Sequence, residues 1–263
     1  MNPKKIFVFA ATSSLLIFQS ACSCFVKTSE RPEYIATYTA TPIKLDGKLD
    51  DPMWQKTPAY DYYHGIDTWK DFKKALPGDY SDKDVAEPGK VRILWDKNYL
   101  YVGIELQDSD VVAEGLNDQE HHYVKGDVAE VFLKPVNQTW YWELYATPLG
   151  KRTSFFFPGH SLVGIPSFFE KTWLKDLRVA STFVGTLNES RDKDTKWTTE
   201  MAIPIAEVNM VGEKLEPNVP WLIFFGRYNY SRYLPYVENS SSPRQLRASY
   251  HIYEDYGFLK LVK

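Results

Sequence analysis

The chain has 263 residues, with 31 Lys and Arg against 34 Asp and Glu and a formal net charge of −3 at pH 7. That balance supplies no electrostatic pull toward a phosphate backbone, so nucleic acid is excluded as the expected partner. Aromatic residues make up 16% of the chain, with 18 Tyr and 8 Trp, so many rings here pair an apolar body with a polar edge.

Lys4 and Lys5 precede an apolar run of 13 residues, Ile6 to Phe18, and the small residues Ser20 and Ala21 then lead to Cys22. The run is shorter than the roughly 20 residues a spanning helix needs and predicts an export signal. Gln19-Ser20-Ala21-Cys22 resembles a bacterial lipoprotein box, which places lipidation at Cys22; Gln19 stands where Leu is usual, and cleavage before Cys24 is the alternative. Cys22 and Cys24 are the two cysteines of the chain, so the domain beyond them is expected to hold no disulfide and no thiolate metal site. The predicted organisation is a signal over 1–24, a polar tether over 25–34 and one domain over 35–263. The expected location is an outer-membrane or cell-envelope lipoprotein touching the membrane through its anchor alone, with a periplasmic or secreted protein as the alternative.

Strand signals then follow in series. A turn or two of helix is predicted at Asp50 to Lys56. Val91 to Trp95 and Leu100 to Leu106 flank Asp96-Lys97-Asn98, a hairpin signal, and Leu100, Val102, Ile104 and Leu106 share one face. Asp127 to Lys134 and Trp140 to Thr147 form a second predicted hairpin. Lys151 to Asp176, rich in Phe, Gly and Pro, reads as a long loop. Val179 to Val184, Trp197 to Ile203, Trp221 to Tyr230 and Phe258 to Val262 are further strands, with a short helical patch at Ile205 to Val208. Helical periodicity is weak elsewhere, and no crossover helices for parallel units are evident. The predicted class is all-β, an antiparallel β-sandwich of jelly-roll type with few short helices.

Gly126 to Gly150 carries acids and large rings at alternate positions. Counting by two puts Ala129, Val131 and Leu133 on one face, with Val128, Glu130 and Phe132 on the other. In the next strand Trp140, Trp142, Leu144 and Ala146 oppose Tyr141, Glu143 and Tyr145. With both apolar sets inward, Glu130 and Glu143 rise together among aromatic rings. Rings stack on the apolar faces of sugars and carboxylates accept from their hydroxyls, so a sugar surface is one reading; the other is an acid paired with Lys or Arg.

Several motifs carry a family resemblance. Ile43-Lys-Leu-Asp-Gly-Lys-Leu-Asp-Asp-Pro-Met-Trp54 resembles the opening of family 9 carbohydrate-binding modules, and Val91-Arg-Ile-Leu-Trp-Asp-Lys-Asn-Tyr-Leu-Tyr-Val102 is similar to their first hairpin. Gly126 to Leu133, Tyr141 to Gly150, Glu200 to Pro204 and Tyr256 to Leu261 resemble later strands, in family order. The resemblance implies a sandwich fold and non-catalytic carbohydrate binding at the bacterial envelope in support of polysaccharide capture or catabolism, with a glycoside hydrolase as a further partner. It assigns sugar hydrogen bonding to Glu130. One family sandwich Trp falls at Val124, beside Tyr123, and the other at Tyr250. The family's glutamine falls near Phe225, with Arg227, Tyr228 and Asn229 close by. The candidate carbohydrate-binding set is therefore Tyr123, Glu130, Glu143, Tyr145, Arg227 and Tyr250.

The resemblance also implies a structural calcium, for which Asp46, Asp50 and Asp51 offer oxygen ligands; turn and capping roles account for the same acids, and no ligand set is assigned. Two rival functions stay open. Glu130 and Glu143 are the minimum pair for a glycoside hydrolase, and a related sandwich superfamily binds haem through Met or His, for which Met53, Met201, Met210 and the scattered histidines are the material. His121-His122 is assigned to a loop or rim without metal.

Overall fold

Alternation of apolar and polar side chains decides which way each strand faces, and the strands line up accordingly. The computed structural model describes residues 31–80, 83–160 and 171–263. The predicted signal, the lipidation site Cys22 and residues 25–30 of the tether lie outside the described residues.

The described chain is all-β with few short helices. Its main strand path begins at β8 (Arg152–Phe157) and runs through β7 (Tyr141–Ala146), β6 (Val128–Pro135) and β11 (Trp221–Asn229). It continues through β13 (Gly257–Val262), β1 (Glu33–Tyr38), β4 (Gly89–Trp95) and β5 (Tyr99–Gln107) to β10 (Lys196–Pro204) and β9 (Arg178–Val184). Off that path, β2 (Ala59–Asp61) pairs with β4, while β12 (Glu238–Ser242) pairs with β11 and with β3 (Tyr63–His64). Strands β1 and β13 pair in parallel, as do β1 and β4. Strand β1 starts at Glu33, two residues inside the stretch expected to be tether.

One interior cluster joins the two arms of this path. It takes Val91, Ile93 and Trp95 from β4, alternate residues Leu100 to Leu106 from β5, and Trp197, Met201 and Ile203 from β10. From the other arm come Ala129, Val131 and Leu133, then Trp142, Leu144 and Ala146, then Trp221, Ile223 and Phe225. These are the inward sets that counting by two predicts. Removing such side chains from water is the main favourable term, at about 25 cal/mol per Å2 of apolar area.

A second cluster covers the outer face of the β6–β7–β8–β11 arm. Phe132, Tyr141, Phe157, Phe224 and Tyr256 are buried there under the segment that carries Tyr250 and Tyr256. This face was expected to be open, and the cover closes most of it.

The opening motif clasps the other arm. The backbone N–H groups of Asp46 and Gly47 donate to Glu200 Oε2 at 2.8 and 2.7 Å, and Trp54 Nε1 donates to Glu200 Oε1 at 2.9 Å. Gly47 has φ +78°, and a Cβ on it would lie 2.6 Å from the Ser181 backbone, so this turn requires glycine.

Two elements differ from expectation. Helix α1 (Ile66–Ala75), absent from the sequence reading, buries Trp69 and Phe72 against His64, three residues apart on one helical face. The long loop predicted over Lys151 to Asp176 contains strand β8, whose pairing with β7 imposes extended backbone on a run of three Phe. No helix among the described residues is long and apolar enough to cross a membrane.

Candidate functional site

Register places the site. Glu130 on β6 sits between Tyr145 of β7 and Gly226 of β11. Glu143 lies two residues before Tyr145 and opposite Phe155 of β8, so both acids project from one sheet face. Gly226 contributes no side chain, and Tyr250 takes the space: a Cβ there would lie 2.8 Å from its ring and 3.2 Å from Glu130 Oε2.

Above this floor is a cavity of about 450 Å3, lined by Glu130, Glu143, Tyr145, Phe155, Phe157 and Tyr228 together with His121, Tyr123, Asn239 and the run Ala248 to His251. Its volume falls in the range of about 300–1,000 Å3 usual for small-molecule sites. The rings meet at angles: Tyr123 and Tyr228 have centroids 5.6 Å apart, Tyr228 and Tyr250 5.5 Å in an edge contact, and Tyr145 and Phe155 5.5 Å, also edge-on. His121 stacks on Phe155 at 5.2 Å.

The two carboxylates are nearly out of solvent, with Glu130 1% and Glu143 3% exposed. The Tyr145 hydroxyl donates to Glu143 Oε1 at 2.6 Å and lies beside Glu130. Among the described residues no Lys or Arg lines the cavity. Burial raises both carboxyls, and the charge of Glu143 raises Glu130 further; Glu143 is pushed up to about 8. Glu143 is therefore held largely protonated at neutral pH, and Glu130 is shifted in the same direction. Burial also lowers His251 to about 4, leaving it neutral, with the Tyr141 hydroxyl 2.8 Å from its Nδ1.

The cavity brings together five of the six candidate residues: Tyr123, Glu130, Glu143, Tyr145 and Tyr250. Arg227 is not among them. It shares its face with Phe225 and Ile223, so it points into the interior between the arms, where it is fully buried. There its guanidinium donates to the carbonyls of Glu87 and Gln107 and to Asp108 Oδ2, at 2.8, 2.7 and 3.1 Å. Its neighbour Tyr228 faces the cavity instead, as counting by two from the inward Phe225 would have shown. Tyr250 is also no free-standing platform, because its hydroxyl donates to the backbone carbonyls of Arg227 and Ser240 at 2.7 and 2.9 Å. Phe155 and Phe157 were missed with strand β8. Asn239 comes from the short strand β12, whose run of Asn and Ser carries no strand signal, and Ser249 and His251 come from irregular chain.

The acids proposed for calcium do not fit it. Asp46 accepts from Lys44 Nζ and the Lys48 N–H, and Asp51 caps the turn at Met53, with distances of 2.8, 3.1 and 2.8 Å. Among the described residues no group of three or more His, Cys, Asp or Glu is arranged to hold a metal. His121 lies on the cavity rim while its neighbour His122 is buried away from it. Met201 fills the interior, Met53 packs under the opening motif, and His64 lies against Trp69 and Phe72, so these residues belong to separate clusters.

Comparison with known proteins agrees with this architecture. Residues 45–147 match the sequence model of the family described as Carbohydrate family 9 binding domain-like. No curated protein matches the chain. Among solved structures, a candidate carbohydrate-binding protein from Bacteroides uniformis is 13% identical with a TM-score of 0.65, covering 89% of this chain and 100% of its own. A family 9 carbohydrate-binding module from Caldicellulosiruptor kristjanssonii in complex with cellotriose is 14% identical with a TM-score of 0.53, covering 87% of this chain and 93% of its own. The module from the same organism in complex with glucose is 13% identical with a TM-score of 0.51, covering 88% and 95% respectively. At these identities the likeness is one of fold.

Proposed function

We propose that this protein, which carries a carbohydrate family 9 binding domain-like segment over residues 45–147, binds carbohydrate without cleaving it, in the cavity floored by Glu130 and Glu143. One observation carries the reading: two nearly buried carboxyl groups share a cavity walled by aromatic rings and face no charged partner among the described residues. Their oxygens await donors, and sugar hydroxyls supply donors beside apolar faces that pack on rings. The family 9 modules with cellotriose and glucose support the same ligand class. The finer architecture belongs to this proposal: two sheet arms packed over one interior suit an antiparallel sandwich of jelly-roll type. So do export, lipid anchoring at Cys22, a place in the envelope and service to a glycoside hydrolase in polysaccharide capture.

The hydrolase reading is weaker on geometry. Hydrolysis places two carboxyl groups on either side of the scissile bond, whereas Glu130 and Glu143 rise from adjacent strands on the same floor. The test is calorimetric titration of the full chain with neutral and charged oligosaccharides. Binding in the millimolar to micromolar range, about −4 to −8 kcal/mol, is expected, with loss in Glu130→Gln and no sugar released. Sugar release abolished by that substitution would establish the hydrolase, and absence of any sugar binding would refute the reading.

A further inference from the structure

The cavity floor holds two buried acids that no Lys or Arg among the described residues faces. The Tyr145 hydroxyl is committed to Glu143, and the Tyr250 hydroxyl to the carbonyls of Arg227 and Ser240. Asn239 Oδ1 is buried without a partner. Among the described residues neither Glu130 nor Glu143 faces a backbone N–H or a cationic side chain, and the Tyr145 phenol is the donor that reaches them. Around the acids stand Tyr123, Tyr145, Tyr228, Tyr250, Phe155 and Phe157, whose ring faces are electron-rich. A neutral sugar meets acids that burial holds toward their uncharged forms, whereas charging either of them on this floor calls for a cation beside it. An ammonium offers three donors, no acceptor and the missing positive charge.

We infer that the cavity selects sugars bearing a free amine, the ammonium seated against Glu130 and Glu143 among the tyrosine rings. This rests on the carbohydrate reading above and narrows it. The structure explains why the pair holds protons in the absence of such a ligand: burial raises Glu143 to about 8 and Glu130 well above its ordinary value. An arriving ammonium takes over the protons' role, so a carboxylic acid gives its proton to buffer as the ion pair forms. Three phenols and one imidazole facing the pair stay neutral across that range. Burial raises the phenols of Tyr145, Tyr228 and Tyr250 and lowers His251 to about 4. Tyr123 and His121 complete the lining. Affinity for an amino sugar accordingly rises as pH climbs toward 8, until the ligand's amine loses its own proton, whereas affinity for a neutral sugar does not.

The test is titration of the full chain at pH 7 with glucosamine, N-acetylglucosamine, glucose and cyclohexylamine, in two buffers of different ionisation enthalpy. Glucosamine is expected to bind at least about tenfold tighter than glucose and N-acetylglucosamine, a margin of about 1.4 kcal/mol. Only its heat is expected to depend on the buffer, reporting proton release. Glu130→Gln and Glu143→Gln should remove the margin and the proton release, with an unchanged near-ultraviolet circular dichroism spectrum showing that each is folded. Equal affinity for glucosamine and glucose would overturn the amine preference and leave carbohydrate binding standing. Cyclohexylamine bound as tightly as glucosamine, with glucose unbound, would overturn both. Failure of all four to bind, alongside binding of a neutral oligosaccharide, would overturn this inference alone.

Discussion

Two buried glutamate sites occupy the outer faces of the two sheet arms, and they are built in opposite ways. Glu200 accepts from three fixed donors, the Asp46 and Gly47 N–H groups and the Trp54 indole, and so ties the opening turn to β10. Glu130 and Glu143 have one phenol between them and a cavity above. A buried polar group that is fully matched contributes to stability, and one left unmatched costs free energy that the rest of the fold must offset. The contrast separates the carboxylate that holds the fold together from the carboxylates kept for a ligand.

The largest effect expected from this contrast is at the matched site. Glu200→Ala strands three buried donors and should destabilise by about 3 kcal/mol or more in urea-induced unfolding; a loss below about 1 kcal/mol would mean that the clasp is not the tie described here. Gly47→Ala forces a left-handed backbone and a collision with Ser181, at a cost of about 1–3 kcal/mol in the same measurement. At the unmatched site the sign reverses. Glu130→Gln replaces a buried carboxyl that faces no cationic side chain among the described residues with an uncharged amide, and should leave stability unchanged or raise it by about 1 kcal/mol while ligand binding is lost. A destabilisation as large as that of Glu200→Ala would erase the distinction between the sites.

The smallest effect is on pH dependence. Folded-state values of Glu130 and Glu143 lie above their unfolded ones, so between about 4.5 and 8 the folded state binds more protons and stability falls as pH rises. The slope of the urea midpoint over that interval should be shallower in Glu143→Gln than in the parent chain. Below about 6.5 the histidines contribute with the opposite sign, because burial lowers His64, His122 and His251 and the unfolded chain takes up protons first. An unchanged slope in the variant would mean that the pair is solvated.

Strands with strict alternation were readable from residue order, and so was the floor of the cavity, because facing depends only on parity. Ala129, Val131 and Leu133 point inward and Glu130 therefore points out, whatever else packs nearby. The same rule applied to β11 assigns Arg227 inward beside Phe225; choosing it for its nearness to the position of the family's glutamine put it on the wrong face. Helix α1 was missed although Trp69 and Phe72 stand three apart, as one helical face requires, whereas strand β8 was not readable, since a run of three Phe satisfies no period. The cover over the floor was hidden for a different reason. Ala248 to Tyr256 is largely irregular chain, positioned by long-range contacts rather than by its own sequence pattern.

That cover is attached through main-chain atoms. Tyr250 hangs from two carbonyls, and the Tyr256 hydroxyl in turn holds the carbonyl of Tyr250 at 2.6 Å. Carbonyls persist under substitution, so lineages descended from such a chain are free to exchange the residues between these two tyrosines. Ligand preference can then diversify along a short peptide while the strands beneath it stay as they are.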